Sequence, residues 1–95
     1  MKILALEKER PGAPTADASL LKAEAQAVWD LVQTGAIREI HFRDDRPQAV
    51  VILEAESPLH AQATLAQLPL VRAELVDFEV IGLLPYPGFS RLFGP

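Results

Sequence analysis

The alternation of apolar and polar residues along the chain predicts six regular elements. Short runs of period two predict strands, whereas two longer stretches with apolar residues three and four positions apart predict helices. Gly35 is placed as the C-terminal stop of the first helix, and Pro69 blocks continuation of the second. The predicted elements are a strand over residues 2–8, a helix from Asp17 or Ser19 to Thr34, strands over 36–43 and 48–54, a helix from Ser57 to about Leu68, and a strand over 75–84.

This order of strand, helix, strand, strand, helix and strand predicts a ferredoxin-like α+β fold, βαββαβ. Such a fold has a four-stranded antiparallel sheet with both helices on one face. The other face would carry a mixture of apolar and polar side chains, and a second copy packing sheet to sheet would enclose them. We therefore expect a homodimer or larger homo-oligomer built on a dimeric α/β barrel.

The last eleven residues differ from the rest of the chain. We expect residues 1–84 to form the barrel domain and residues 85–95 to form a C-terminal tail. Three aromatic residues and Leu92 lie between Tyr86 and Phe93, which is too apolar for a free chain end. The tail is therefore expected to pack on a neighbouring subunit or to close a pocket.

The length, net charge and composition of the chain exclude several classes of protein. Ninety-five residues make one domain, and a net charge of −4 argues against a nucleic-acid or anionic membrane surface. The chain contains no cysteine, which excludes a disulfide framework or a thiolate metal site and fits a cytoplasmic protein. No apolar run reaches the length of about 18 residues that spans a membrane.

One carboxylate lies on the apolar side of the first helix. At 100° per residue, Glu24 falls between Leu31 and Val28 within the apolar stripe. A glutamate is almost never buried without a partner. Glu24 could therefore lie at the edge of the stripe or pair with an arginine. Alternatively, it could face a pocket with a raised pKa and act as a proton-transfer base.

The other polar candidates carry weaker signals. Arg38 shares a predicted strand face with Ile40 and Phe42 and could point toward the same cleft, whereas His41 lies on the opposite face. His41 and His60 lie on different elements without the spacing of a metal site. No phosphate-binding loop, nucleotide fingerprint or serine-hydrolase elbow occurs, so neither a metal nor a cofactor is expected.

The C-terminal half resembles the muconolactone isomerase family. The resemblance rests on Gln67-Leu68-Pro69-Leu70, on the strand from Asp77 to Leu83 and on Tyr86-Pro87. The resemblance extends upstream to Leu21-Lys22-Ala23-Glu24 in the first predicted helix, and to Gly35 and Arg38, which match a Gly-x-x-Arg pattern at the start of the second strand. It covers roughly residues 20–87.

The resemblance implies a dimeric α/β-barrel subunit and a cofactor-free isomerase. The expected substrate is a small unsaturated lactone acid, or a chloromuconolactone that is dehalogenated, in the catabolism of aromatic hydrocarbons. Glu24 matches a glutamate associated with proton transfer in this family, and Arg38, His41 and Tyr86 fall at positions that line or border the pocket as substrate-binding residues. A non-enzymatic small-molecule-binding or assembly module on the same barrel is the alternative, because fold does not fix function.

Overall fold

The computed structural model describes residues 1–94, which contain four strands, three α-helices and one 3-10 helix. No helix among these residues is long and apolar enough to cross a membrane. The strands are β1 (Lys2–Glu9), β2 (Ile37–Phe42), β3 (Ala49–Glu54) and β4 (Val76–Leu83), the α-helices are α1 (Ala18–Thr34), α2 (Pro58–Leu65) and α3 (Pro69–Arg72), and the 3-10 helix is Pro87–Leu92.

The four strands form one antiparallel sheet in the order β2-β3-β1-β4. In this sheet β1 is an inner strand, and its Leu4 lies opposite Ile52 of β3 and Ile81 of β4. The order and the antiparallel pairing are those of the ferredoxin-like plan, so the predicted fold class is confirmed. The consecutive strands β2 and β3 form an antiparallel hairpin.

Local capping explains where the two longer helices begin and where α1 ends. The Asp17 carboxylate accepts a hydrogen bond from the Leu20 N–H at 2.8 Å, and the Ser57 side chain caps α2. Gly35 has φ 85°, and its N–H donates to the Val32 carbonyl. This left-handed conformation favours glycine and stops α1 at the predicted residue.

Three features of the structure differ from what the sequence predicts. Helix α2 ends at Leu65 rather than Leu68, and Pro69 begins the short helix α3, because a proline needs no N–H partner in a first turn. Strand β2 contains a register shift between Ile37 and Glu39. The tail, for which no regular element was predicted, contains the short 3-10 helix; Pro95 lies outside the described residues.

The hydrophobic core lies mainly between the sheet and α2. Its fully buried side chains include Ile3, Val51 and Leu53 from the sheet and Leu65 from α2. By contrast, no residue of α1 is buried, although the apolar stripe of α1 packs partly against the core. The two helices therefore cover the sheet unequally, and a cleft remains beneath α1.

The sheet face opposite the helices is uncovered in the single chain. Its centre is apolar and is formed by residues that alternate with the buried ones. Around it lie charged residues, among which the Lys8 ammonium lies 3.1 Å from the Glu79 carboxylate. The apolar centre consists of Leu4, Leu6, Val50, Ile52 and Ile81.

Candidate functional site

A pocket of about 270 Å³ lies between α1 and the sheet. Its wall is mostly apolar and includes Val28 of α1, Phe42 of β2 and Phe78 of β4. Two carboxylates, Glu7 and Glu24, also line it. The combination of an apolar wall and a few polar groups is typical of a small-molecule site.

A larger cavity of about 460 Å³ lies at the other end of the sheet, beside Met1, Lys2 and Pro85. The amino groups that border it belong to Lys2 and to the Met1 N-terminus, and the latter donates to Glu54 Oε1 and to the Ala55 carbonyl, both at 2.9 Å; its lining contains no carboxyl group. The smaller pocket is therefore the candidate site.

Glu24 faces this pocket from the middle of α1 and is half-buried. Its Oε1 accepts a hydrogen bond from the Leu70 N–H at 3.0 Å. Burial raises the pKa of Glu24 above its usual range, and the Leu70 amide partly opposes that shift. Within residues 1–94, no cationic group lies within ion-pair distance of Glu24.

The Leu70 amide is free to donate because it lies in the first turn of α3. Amides in a first turn have no carbonyl partner four residues earlier within the helix. Glu24 supplies that partner across 46 residues of sequence. The arginine partner considered from the sequence is therefore replaced by a backbone amide, and the carboxylate borders an open pocket rather than a filled core.

Glu7 is the pocket residue that the sequence interpretation missed. Ile3 and Ala5 of β1 are fully buried, and Glu7 follows them at the same spacing of two, so it lies on the helix-covered face. Burial is the largest cause that raises the pKa of Glu7, and the negative charges of Glu24 and Glu9 add to it. The adjacent Ala49 amide opposes the shift. The spacing of two residues from Ile3 to Ala5 to Glu7 could have revealed from the sequence that Glu7 lies on this face.

Arg38 does not line the pocket, contrary to the expected shared face with Ile40 and Phe42. The register shift in β2 places Ile37, rather than Arg38, on the pocket face together with those two residues. Arg38 is exposed, and its Nε donates to the Gly35 carbonyl at 2.7 Å. A simple alternation along the strand could not reveal this shift.

His41 and Tyr86 also lie away from the pocket of their own chain. His41 is exposed, and its Nε2 lies 3.3 Å from Oε1 of Glu39. Tyr86 packs edge to face on Phe89, with ring centroids 4.9 Å apart. The structure thus brings Glu24 together with Glu7 but with none of the three predicted substrate-binding residues.

The arrangement suits proton transfer more than it suits metal chemistry. In the part of the chain that the structure describes, no group of three histidine or acidic side chains could hold a metal ion. A carboxylate with a raised pKa beside an apolar pocket is a candidate general base. Because no cationic side chain lines the pocket, negative charge that develops on a ligand must be stabilised by a hydrogen-bond donor.

The raised pKa of Glu7 predicts how stability depends on pH. Because its folded pKa exceeds its unfolded pKa, the folded chain binds more protons, and the free energy of unfolding falls as pH rises through that window. Glu7→Gln should therefore be more stable than the original chain near neutral pH. The difference should disappear at a pH below both pKa values. Chemical denaturation across pH would measure it, with the exposed Glu56→Gln as the control; equal stability of Glu7→Gln and the original chain at neutral pH would contradict the prediction.

Comparison with known proteins gives structural matches only, since no family model and no curated protein matches the chain. The chain is similar to muconolactone isomerase, whose crystal structure at 3.3 Å aligns with a TM-score of 0.74 and 22% identity over 92% of each chain. It is also similar to 5-chloro-2-hydroxyhydroquinone dehydrochlorinase from Burkholderia phenoliruptrix in complex with 2,5-dihydroxybenzoquinone. That alignment has a TM-score of 0.61 and 22% identity over 88% of this chain and 94% of the other. The resemblance found in the sequence is thus confirmed at the level of the fold.

Proposed function

We propose that the chain is a cofactor-free enzyme that moves a proton within a small unsaturated lactone or a related ring compound. The observation that carries the proposal is Glu24, a half-buried carboxylate held by the Leu70 amide at the wall of an apolar pocket. Both structural neighbours are named as enzymes that act on small ring compounds, which supports the same chemical class.

Glu24 serves as both base and acid in the proposed reaction. Its carboxylate removes a proton from a ring carbon beside the unsaturation, and the carbon–hydrogen electron pair delocalises toward the carbonyl oxygen. The new Glu24 carboxyl then returns the proton to another carbon on the same face of the ring. The hydrogen bond from Leu70 leaves Oε2 for the transfer and fixes the orientation of the carboxyl group.

Muconolactone and related unsaturated lactones in deuterated buffer provide the test. Proton NMR should reveal loss of a ring C–H signal, and product or recovered substrate should carry solvent deuterium. Exchange or isomerisation should depend on the concentration of the folded protein. No exchange above the rate of buffer alone, for any lactone of the series, would contradict the proposal.

A non-enzymatic binding module is the second candidate function. It is favoured by the absence of any cationic side chain from the pocket lining and by the exposed position of Arg38. In this case Glu24 would act as the acceptor that joins α1 to α3, and lactones would bind without exchange of their protons. Saturable binding without deuterium uptake distinguishes this function from the enzyme.

Dimerisation through the open sheet face is also proposed. The apolar centre of that face has no cover in the single chain, and burying it against a second copy is favourable. We expect light scattering to give at least twice the monomer mass of 10.4 kDa at micromolar concentration. Ile52→Asp, at the centre of the face, should give monomers, whereas Leu59→Asp on the exposed side of α2 should not. A monomeric original chain would contradict the proposal.

The tail is proposed to pack on a neighbouring subunit or to close a pocket. Phe89, Leu92 and Phe93 are all strongly exposed in the single chain. Within the tail, the Tyr86 ring packs directly on Gly88, where a Cβ atom would overlap the ring. Deleting residues 86–95 should therefore weaken assembly or ligand binding. Unchanged mass by light scattering, melting temperature and lactone affinity would contradict this role.

A further inference from the structure

Glu7 has no part in the mechanism described so far, although it lines the candidate pocket. It lies on β1, which pairs with β3 on one side and β4 on the other. Its direct partner on β4 is Phe78, which lines the same pocket. A carboxyl group on an inner strand is less free to move away than one on a loop. Glu7 and Glu24 therefore face one pocket from the sheet and from the helix above it.

The remaining lining of that pocket offers neither carboxyl group a counter-ion. Apart from the two glutamates, every side chain that lines it is apolar, within the described residues. Two ionised carboxylates facing such a space repel each other and lose hydration. Binding one proton between them removes most of this cost.

The charged groups that border the adjoining cavities of Glu7 are already engaged or carry the same sign. Arg46 and Glu9 border an adjoining cavity that Glu7 also lines, and Arg46 lies 3.7 Å from Asp45. Glu7 also lines a further cavity with Arg43 and Lys8. Arg43 forms a two-point hydrogen bond with Asp45 at 2.7 and 2.8 Å, and the Lys8 ammonium lies 3.1 Å from the Glu79 carboxylate. On the helix side, Glu24 meets only the Leu70 amide among hydrogen-bond donors of residues 1–94.

The two carboxyl groups are not equivalent. Glu9, two residues along the same strand, adds its negative charge to the effect of Glu24 on Glu7 and raises the pKa of Glu7 further. Backbone amides stabilise the ionised forms of both groups, Leu70 for Glu24 and Ala49 for Glu7, so the charge of Glu9 is the difference between them. The proton is therefore better placed on Glu7 than on Glu24.

We propose that Glu7 is a second catalytic carboxyl group, protonated while Glu24 is ionised, and that the pair selects uncharged ring compounds over carboxylates. The proposal rests on the proposed proton-transfer function and extends it to a second residue and to a ligand class. It departs from the expectation of a lactone acid as substrate.

The two groups divide the reaction between them. Glu24 takes the proton from the ring carbon, so the C–H bond breaks and an O–H bond forms on Glu24. The electron pair moves through the unsaturation to the carbonyl oxygen, which receives a hydrogen bond from protonated Glu7. When Glu24 returns its proton to another ring carbon, the charge leaves the oxygen and both carboxyl groups regain their starting states. No oxidant, reductant or further reactant is needed.

The two carboxyl groups also determine which ligand charge the pocket favours. An uncharged ring with a carbonyl group can accept a hydrogen bond from Glu7 without adding charge to the pocket. A ring that carries its own carboxylate adds a negative charge close to Glu24, where no cationic side chain compensates it. Muconolactone and its methyl ester form a matched pair of probes, since they share the ring and differ in charge.

The first experiment titrates the glutamate side chains of the whole protein by carbon-13 NMR, without any ligand. We expect Glu7 and Glu24 to titrate as a coupled pair in the original chain. Glu24→Gln should lower the pKa of Glu7 toward its ordinary value, whereas the surface control Glu56→Gln should leave it unchanged. Independent titration of Glu7 and Glu24 would overturn the inference whatever the protein binds.

The second experiment measures binding of muconolactone and its methyl ester by NMR titration near neutral pH. The ester should bind about tenfold more tightly than the acid, and Glu24→Gln, which removes the negative charge from the pocket, should reduce that preference. Equal binding of both probes to the original chain would overturn the inference. Glu7→Met has a similar size but no hydrogen-bond donor, and turnover that requires Glu24 but is unchanged in folded Glu7→Met would also overturn the inference and leave the proposed function standing. If neither lactone binds, the proposed substrate class fails and the titration alone decides whether the pair exists.

Discussion

Glu24→Gln is expected to lower turnover by about 100-fold or more while the chain stays folded, a size typical of lost acid–base catalysis. Glutamine keeps the size of the side chain and keeps an oxygen that can accept the Leu70 N–H. What it lacks is the titratable group. The expected loss should therefore appear in kcat and in deuterium exchange rather than in stability or in the affinity for an uncharged lactone.

Two further variants separate the chemical role of Glu24 from its structural one. Glu24→Ala removes both the base and the acceptor of the Leu70 amide, so it should lose activity and also some stability. Glu56→Gln changes an exposed carboxylate outside the pocket and should leave both properties unchanged. If Glu24→Gln proves stably folded and fully active, Glu24 has no part in the mechanism.

The contrast between Glu24 and Arg38 explains how much of the site could be predicted. Glu24 was found because an α-helix has a fixed angular period, which places each residue on a face from sequence position alone. Arg38 was misplaced because the strand period is interrupted by a register shift between Ile37 and Glu39. Such a shift depends on pairing with β3, which no single strand sequence specifies.

Glu7 and the Leu70 amide illustrate two further limits. Glu7 follows Ile3 and Ala5 at the spacing of a strand, so its face was predictable, but Leu4 and Leu6 made the other face of β1 look equally apolar. Both faces carry apolar residues, since one packs on the core and the other is the open face that we propose is covered by a second copy. The contact between Glu24 and Leu70 joins residues 46 positions apart and follows only from the packing of α1 against α3.

The order of the elements was predictable for a different reason. Caps and stops are local, so Asp17, Gly35 and Ser57 mark helix ends that the structure reproduces. Once the elements are placed, few topologies remain for two helices and four strands. The fold therefore followed from local signals, whereas the site depends on contacts between distant parts of the chain.

Leu65→Ala is expected to lower the free energy of unfolding by about 3 kcal/mol, within the range for a buried leucine. Leu65 is only 2% exposed and lies in the core between α2 and the sheet. Domains of this size are stabilised by roughly 5–15 kcal/mol in total, so the loss is a large share. On the same helix, Leu59 is 80% exposed, and Leu59→Ala should change stability by less than about 0.5 kcal/mol.

A third variant tests whether the pocket wall is packed less tightly on α1 than on α2, since Leu65 of α2 borders the same pocket. Val28 of α1 is half-buried and borders the pocket, so Val28→Ala enlarges a space that is already open. We expect it to cost roughly 1 kcal/mol, well below Leu65→Ala, because little surrounding contact is lost. Denaturant unfolding of the three variants at one protein concentration measures the differences. A cost for Val28→Ala equal to that of Leu65→Ala would mean that α1 is packed as tightly as α2 and would contradict the prediction.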